Sequence, residues 1–303
     1  MSEVQHTVHR PGPWSSRRGP RGRRGRRGRV LLAAALVVLL VLGGLLLARW
    51  LLGRQAVGTL TVPEGQRAGQ IYAAADKALK VPAGSTARAA RSAHLTLPDD
   101  AHGNPEGYLF PATYPLRSDT TPASLLSYMV RTARGHLADR GASSYRTVVI
   151  ASIVQAEADR PADMGKVARV ITNRLDHHMP LQMDSTLNYA LGRSTLRTSH
   201  ADTRIDSPYN TYRNQGLPPT PIDSPGADAL RAAGAPPAGD WLYFVTVTPG
   251  DTRFTADYQR HLSNVREFNR RQRDEPSGGA MSDGSVSGGA ASGGAGTASG
   301  GGA

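Results

Sequence analysis

The chain contains no cysteine. Disulfide staples, thiol chemistry and cysteine-ligated zinc are excluded, so stability must come from an apolar core of ordinary size. Its histidines form no HExxH pair, and His177 and His178 are adjacent rather than spaced for one helix face; the pattern therefore predicts no metal and no cofactor. No GxSxG, phosphate-binding loop or dinucleotide fingerprint occurs. Ser185 has no lysine three residues on, which removes a serine acyl-transfer motif of that type. From about residue 273 to Ala303 the chain is mostly Gly, Ser and Ala with little charge. Such a stretch cannot bury a core and reads as a disordered tail.

Charge is plentiful but unevenly placed. The net charge is +12, and residues 1–29 hold nine arginines against one glutamate. The run Arg17 to Arg29 could be a nucleic-acid arm. It stops at an uninterrupted apolar run, Val30 to Ala48, closed by Arg49 and Trp50. At helical rise that run spans roughly 28 Å, close to the thickness of a bilayer core. A cleavable signal has a shorter apolar core and a small-residue cleavage site, which this run lacks. Residues 30–49 are therefore expected to form a transmembrane helix. The arginines then hold a cytoplasmic tail, 1–29, on the inner side. This explanation displaces the nucleic-acid reading, and the rest of the chain is expected outside the membrane.

In the exported part, VGTLTVPEG reads as a strand entering a turn at Pro63-Glu64-Gly65, and Ile71, Ala75 and Leu79 give the following segment helical spacing. Gly107 to Leu116, GYLFPATYPL, is aromatic and holds two prolines; it reads as a packed connector or as sugar-binding lining. Helices are expected over Pro122 to Ala138, with Thr121 as N-cap, over Met164 to Asp176, over Ala227 to Ala233 and over His261 to Arg271. Trp241 to Val247 and Thr252 to Ala256 read as a hairpin around Pro249-Gly250-Asp251.

The segment of greatest chemical interest is Thr147 to Asp159, TVVIASIVQAEAD. On a helix, Val149, Ile150, Ile153 and Val154 share one arc and Glu157 projects from its centre, with Ser152 and Gln155 pointing the other way. A desolvated carboxyl has a raised pKa and can act as a general acid near neutral pH. The competing reading is a helix-end glutamate that reaches solvent or pairs with Arg160. Asp184, Asp206 and Asp223 are loop carboxylates, each open to a role as second acid of a two-carboxyl glycosidase or as a simple turn former.

Three strings carry a resemblance: ASIVQAEA followed by VARVITNRLDHHMPLQMDSTLNYALG; SPYNTYRNQGLPP with SPGADALRAA; and WLYFV. Together they resemble the endolytic murein transglycosylases, the MltG or YceG-like family, from about Val57 to Phe268. The resemblance implies an α+β, lysozyme-like catalytic domain over 107–272, behind a LysM-like unit truncated to 57–106. It implies Glu157 as the catalytic acid, because the family's first helix glutamate is Gln155 here and Glu157 matches the second. It implies cleavage of the bond between N-acetylmuramic acid and N-acetylglucosamine with formation of a 1,6-anhydro end. Gln182, Asp184, Tyr209 and Asn210 resemble residues lining the sugar cleft, and Tyr209 is expected to hold the Glu157 carboxyl or the glycosidic oxygen. Implied partners are peptidoglycan glycan strands, the membrane, and peptidoglycan synthases (penicillin-binding proteins), with no nucleic acid. Rival readings are a catalytically dead peptidoglycan-binding scaffold and a hydrolase making reducing ends.

The expected topology can be checked with fusions. A reporter placed after Ala303 should be active only if it is of a kind that works outside the cytoplasm; activity of a cytoplasm-restricted reporter there would overturn the orientation.

Overall fold

A computed structural model describes residues 35–48, 56–139, 144–193 and 198–274. The chain divides into two units, Met1–Gln55 and Ala56–Ala303. In the first, residues 35–48 form helix α1, exposed throughout. Among the described residues no helix is long and apolar enough to cross a membrane. The two ends of the expected span, 30–34 and 49, lie outside the described residues, as does the basic segment 1–29.

The second unit mixes helices with two small antiparallel sheets. In chain order it contains β1 (Ala56–Thr61), α2 (Ala68–Leu79), α3 (Ser85–Ser92), β2 (Thr113–Arg117), α4 (Pro122–Asp139), α5 (Tyr145–Glu157), α6 (Pro161–Asp176), α7 (Asp184–Ala190), α8 (Ala227–Gly234), β3 (Tyr243–Thr248), β4 (Asp251–Thr255) and α9 (Tyr258–Asp274). The architecture is α+β. α9 continues two residues into the segment expected as tail, and residues 275–303 lie outside the described residues.

β1 pairs with β2, with Leu60 opposite Tyr114 and Thr61 opposite Thr113. This ladder joins the 57–106 segment to the segment after it. The β1–α2 turn adds two backbone bonds to a distant loop: Gly65 N–H donates to Ser224 O at 3.0 Å, and Ser224 N–H donates to Gln66 O at 2.9 Å. Within the connector 107–116, Gly107 to Phe110 are all buried and Tyr114 donates to Phe110 O at 2.5 Å. The second sheet is the expected hairpin, β3 against β4, with Phe244 opposite Phe254.

α5 is the centre of the core. Ser144 caps it, accepting from Thr147 N–H at 3.1 Å, and Val148 to Val154 are buried without exception. A helix buried on every side is apolar all round rather than amphipathic. This corrects the expectation for Ser152 and Gln155. Ser152 does not face solvent; its hydroxyl donates to Val149 O at 2.8 Å and accepts from Ile222 N–H at 3.0 Å. Gln155 Oε1 accepts from Gly226 N–H at 2.9 Å. An unbonded buried hydroxyl costs about 1–3 kcal/mol, and these bonds remove that cost while fastening the irregular segment Ser207 to Gly226 onto the helix. α5 ends at Glu157 because Ala158 and Arg160 are extended and Pro161 opens α6 at its first turn.

Gly107 is where this packing leaves no room. Its φ is +81°, and a Cβ there would come within 2.6 Å of Pro221 Cβ and 3.0 Å of Val148 Cγ1. Gly107→Ala should lower stability by on the order of 3 kcal/mol, from backbone strain together with overpacking. A denaturant midpoint equal to the parent's would show that the 107–110 connector is free to move.

Candidate active site

The Glu157 side chain is 4% exposed, although it is the last residue of its helix. The tight α5–α6 turn gives it no path to solvent, so it neither snorkels nor appears in an ion pair with Arg160, whose guanidinium donates to Gly250 O at 2.6 Å. Among the described hydrogen bonds, the carboxyl is held by one long contact, Ser185 N–H to Oε1 at 3.4 Å. Ser185 is the second residue of α7, where backbone N–H groups lack helical partners. Burial is the main force on Glu157 and pushes its pKa up to about 7; nearby Asp184 pushes the same way, while Ser185 and the more distant Arg174 pull it down. The negative end of the α5 dipole adds to the upward push. The buried Ser185 hydroxyl lies close enough to act on the carboxyl but makes no hydrogen bond of good geometry. At neutral pH this carboxyl can donate a proton and can accept one.

Asp184, the first residue of α7, is buried, and its Oδ1 accepts from Tyr212 O–H at 2.6 Å. Burial raises its pKa as well. Gln182 is half-buried and adopts a left-handed backbone, φ +51°. Its N–H donates to Thr211 O at 3.0 Å, and Met183 N–H donates to Thr211 Oγ1 at 3.0 Å. A non-glycine residue with positive φ costs about 1 kcal/mol or more and is held in place by such bonds.

The other two expected cleft residues lie in the 207–226 segment. Tyr209 does not bond Glu157 among the described contacts. Its hydroxyl shares a hydrogen bond with Thr220 Oγ1 at 2.8 Å, and its ring centroid lies 4.9 Å from that of Tyr189. Asn210 is fully buried. Its amide donates to Thr203 O and Ile205 O at 3.1 and 2.8 Å, and its Oδ1 accepts from Tyr212 N–H at 3.0 Å. Asn210 thus clamps its loop and orients Tyr212, the tyrosine whose hydroxyl bonds Asp184. Asp206 is exposed.

Asp223 is buried and belongs to a second polar cluster that the motifs did not announce. Burial raises its pKa well above the usual range, and neighbouring Glu106 adds to this. Glu106 is itself buried, with its pKa pushed by burial up to about 7. It accepts from Ala68 N–H at 2.8 Å and from Tyr189 O–H at 3.1 Å, so it ties the start of α2 to the end of α7. Arg67 reinforces this tie, donating to Arg193 O at 2.7 Å and lying 5.3 Å over the Tyr189 ring. The available signal was position: Glu106 directly precedes the aromatic segment GYLFPATYPL.

Fold and site together define a class: a mixed helix-and-sheet protein whose only carboxyl at the end of the central helix is buried and poised near neutrality. The YceG-like family matches residues 43–267, and the chain belongs to that family. It is 39% identical over 164 residues to an endolytic murein transglycosylase of Bacillus subtilis, covering 52% of this chain and 46% of that protein. It is 38% identical over 175 residues to an endolytic murein transglycosylase of Streptococcus pneumoniae, covering 54% of this chain and 32% of that one. The chain therefore spans between a third and a half of the curated relatives it matches. The crystal structure of a yceG-like protein from Listeria monocytogenes is similar with a TM-score of 0.59 and 30% identity, covering 68% of this chain and 75% of that chain.

The Glu157 shift has a stability consequence. The folded value of about 7 lies above the ordinary 4.5. Between these the native state keeps a proton that the unfolded chain has released, so stability falls as pH rises through that window and levels off above it. Glu157→Gln removes this penalty. The variant should be more stable than the parent at pH 8, by on the order of 3 kcal/mol, and equal to it at pH 4. Urea midpoints at the two pH values read the difference. Glu106 titrates in the same direction but is common to both proteins and cancels. Equal midpoints at pH 8 would mean an unburied or unshifted carboxyl.

Proposed function

We propose that this protein is a membrane-anchored endolytic lytic transglycosylase of peptidoglycan, with Glu157 as both its acid and its base. The observation that carries the reading is the Glu157 carboxyl: buried, raised to about 7 and, among the described hydrogen bonds, held by one long N–H contact. The names of the relatives supply the substrate class.

Glu157 protonates the glycosidic oxygen between N-acetylmuramic acid and N-acetylglucosamine as the C1–O bond breaks. The muramic C6 hydroxyl oxygen bonds to C1 and closes the 1,6-anhydro ring. The Glu157 carboxylate takes the proton released from that hydroxyl and returns to its starting form. No water is consumed, so one carboxyl serves where most glycosidases need two. Asp184 keeps the local field negative, which favours the protonated, donating form of Glu157. Gln182 and Tyr209 are assigned to the sugar cleft, and Asn210 contributes by holding Tyr212.

The catalytic domain is lysozyme-like in this proposal, and residues 57–106 are a shortened LysM-like unit. The apolar run 30–49 anchors the chain, with the N-terminus in the cytoplasm and the catalytic domain facing the wall. Partner synthases of the penicillin-binding type belong to the same proposal.

The test is digestion of purified glycan strands followed by mass spectrometry. The parent should yield anhydro ends, one water lighter than hydrolytic ends. Glu157→Gln should lose a factor of about 10² to 10⁴ in rate while remaining folded. Reducing ends would identify a hydrolase. Strand binding without cleavage by the parent would identify a scaffold.

A further inference from the structure

Arg174 is a buried cation that the reaction as described does not use. It is 7% exposed, at the end of α6, and none of the ion pairs among the described residues includes it. Burying a guanidinium without a carboxylate is costly unless its donors are well met. Here Nε donates to Leu242 O at 2.7 Å, Nη1 donates to Leu181 O at 2.6 Å, and the guanidinium carbon lies 5.4 Å from the Tyr243 ring centroid. The Arg174 main chain serves the same turn, its carbonyl accepting from Met179 N–H at 2.7 Å. One residue thus fixes both ends of the 175–181 connection and ties it to the entry of β3. That connection delivers Gln182, Asp184 and Ser185, and Ser185 carries the N–H that reaches Glu157.

We propose that Arg174 is the positioning residue of the Glu157 site: its two-carbonyl fork sets the start of α7 against the glutamate, and its charge stabilises the carboxylate that remains once the proton has been given away. The inference rests on the transglycosylase reading for its kinetic part only. The geometric link is the Leu181 carbonyl, three residues before Asp184, which Arg174 holds at 2.6 Å; the positive charge of Arg174 also pulls the Glu157 pKa down, behind the larger effect of Ser185. The groups facing the two residues are Asp184, Ser185 and Tyr212 around Glu157, and Tyr243, Tyr212 and His261 around Arg174. Of these, Asp184 is raised above its usual value by burial. Asp184 stays in place in the variants below, and His261 is held below its usual value by burial and by Arg174.

Two variants separate fork from charge. Arg174→Gln removes the charge and should raise the Glu157 pKa by more than about 0.3 units, read by carboxyl NMR titration, which requires no catalytic activity. The alkaline limb of the kcat profile should move up with it. Arg174→Lys keeps the charge as a point but loses the planar fork. It should leave the titration within about 0.3 units of the parent while kcat falls about tenfold or more, as expected for a misplaced catalytic group. A Glu157 pKa unmoved in Arg174→Gln, or parent-like turnover in Arg174→Lys, overturns the proposal. If neither variant folds, Arg174 is a structural clamp and the proposal fails. If the titration shifts as expected but the parent makes no anhydro ends, the positioning holds and the transglycosylase reading is what fails.

Discussion

The structure turns on the burial of one carboxyl at the end of its central helix. Glu157 sits where three things disfavour its charge: a dry surround, the negative end of α5, and Asp184 nearby. The Ser185 N–H and, to a smaller extent, the charge of Arg174 oppose them. The balance lies near neutrality, which is where a group that must give and recover a proton is most useful. It also has a stability cost, because each state of the cycle leaves something imperfectly solvated. The surrounding core, with α5 packed on every side, has to absorb that cost.

The scaffold achieves this through irregular backbone that is over-determined by hydrogen bonds. Segment 207–226 has almost no regular structure, yet Ser152 and Gln155 bond it at fixed points, and its own Asn210 ties it to Ile205. Thr211 lies within it and receives the N–H groups of both Gln182 and Met183. The left-handed backbone of Gln182 is the local strain this permits. The second polar cluster, Glu106 with Arg67 and Tyr189, does the same at the opposite end of α7. α7 is therefore gripped at both ends, and its first turn is the element that meets Glu157.

Much of this was written in short-range pattern. Six of the helices, α2, α4, α5, α6, α8 and α9, lie where apolar spacing or capping residues predict them, α7 does not, and the β3–β4 hairpin follows its turn residues. α3, alanine- and arginine-rich with little apolar contrast, gave no such signal. The apolar arc on α5 located Glu157 correctly, but the same arc misled on Ser152, because a fully buried helix has no outward face. On α6 the rule was applied one residue too far: Val167, Val170 and Ile171 are followed on the buried face by Arg174, and Leu175 is only half-buried. An arginine at a core position carried the same kind of signal as the glutamate and was passed over.

What the sequence by itself determined is the family of the chain, most of its secondary elements and the place of the buried carboxyl on α5, since these depend on residue type and on spacing within a turn or two of helix. Only the tertiary structure decided which tyrosine joins the site, that Asn210 clamps a loop, and that Arg174 and Glu106 stand behind α7. The physical reason is that these roles are hydrogen bonds between residues far apart in the chain, such as Tyr212 to Asp184 across 28 positions, Arg174 to Leu242 across 68 and Tyr189 to Glu106 across 83. Irregular backbone has no period, so its side-chain directions are fixed by what it packs against. In SPYNTY the two tyrosines differ in nothing local; the fold turns one toward Thr220 and the other toward Asp184.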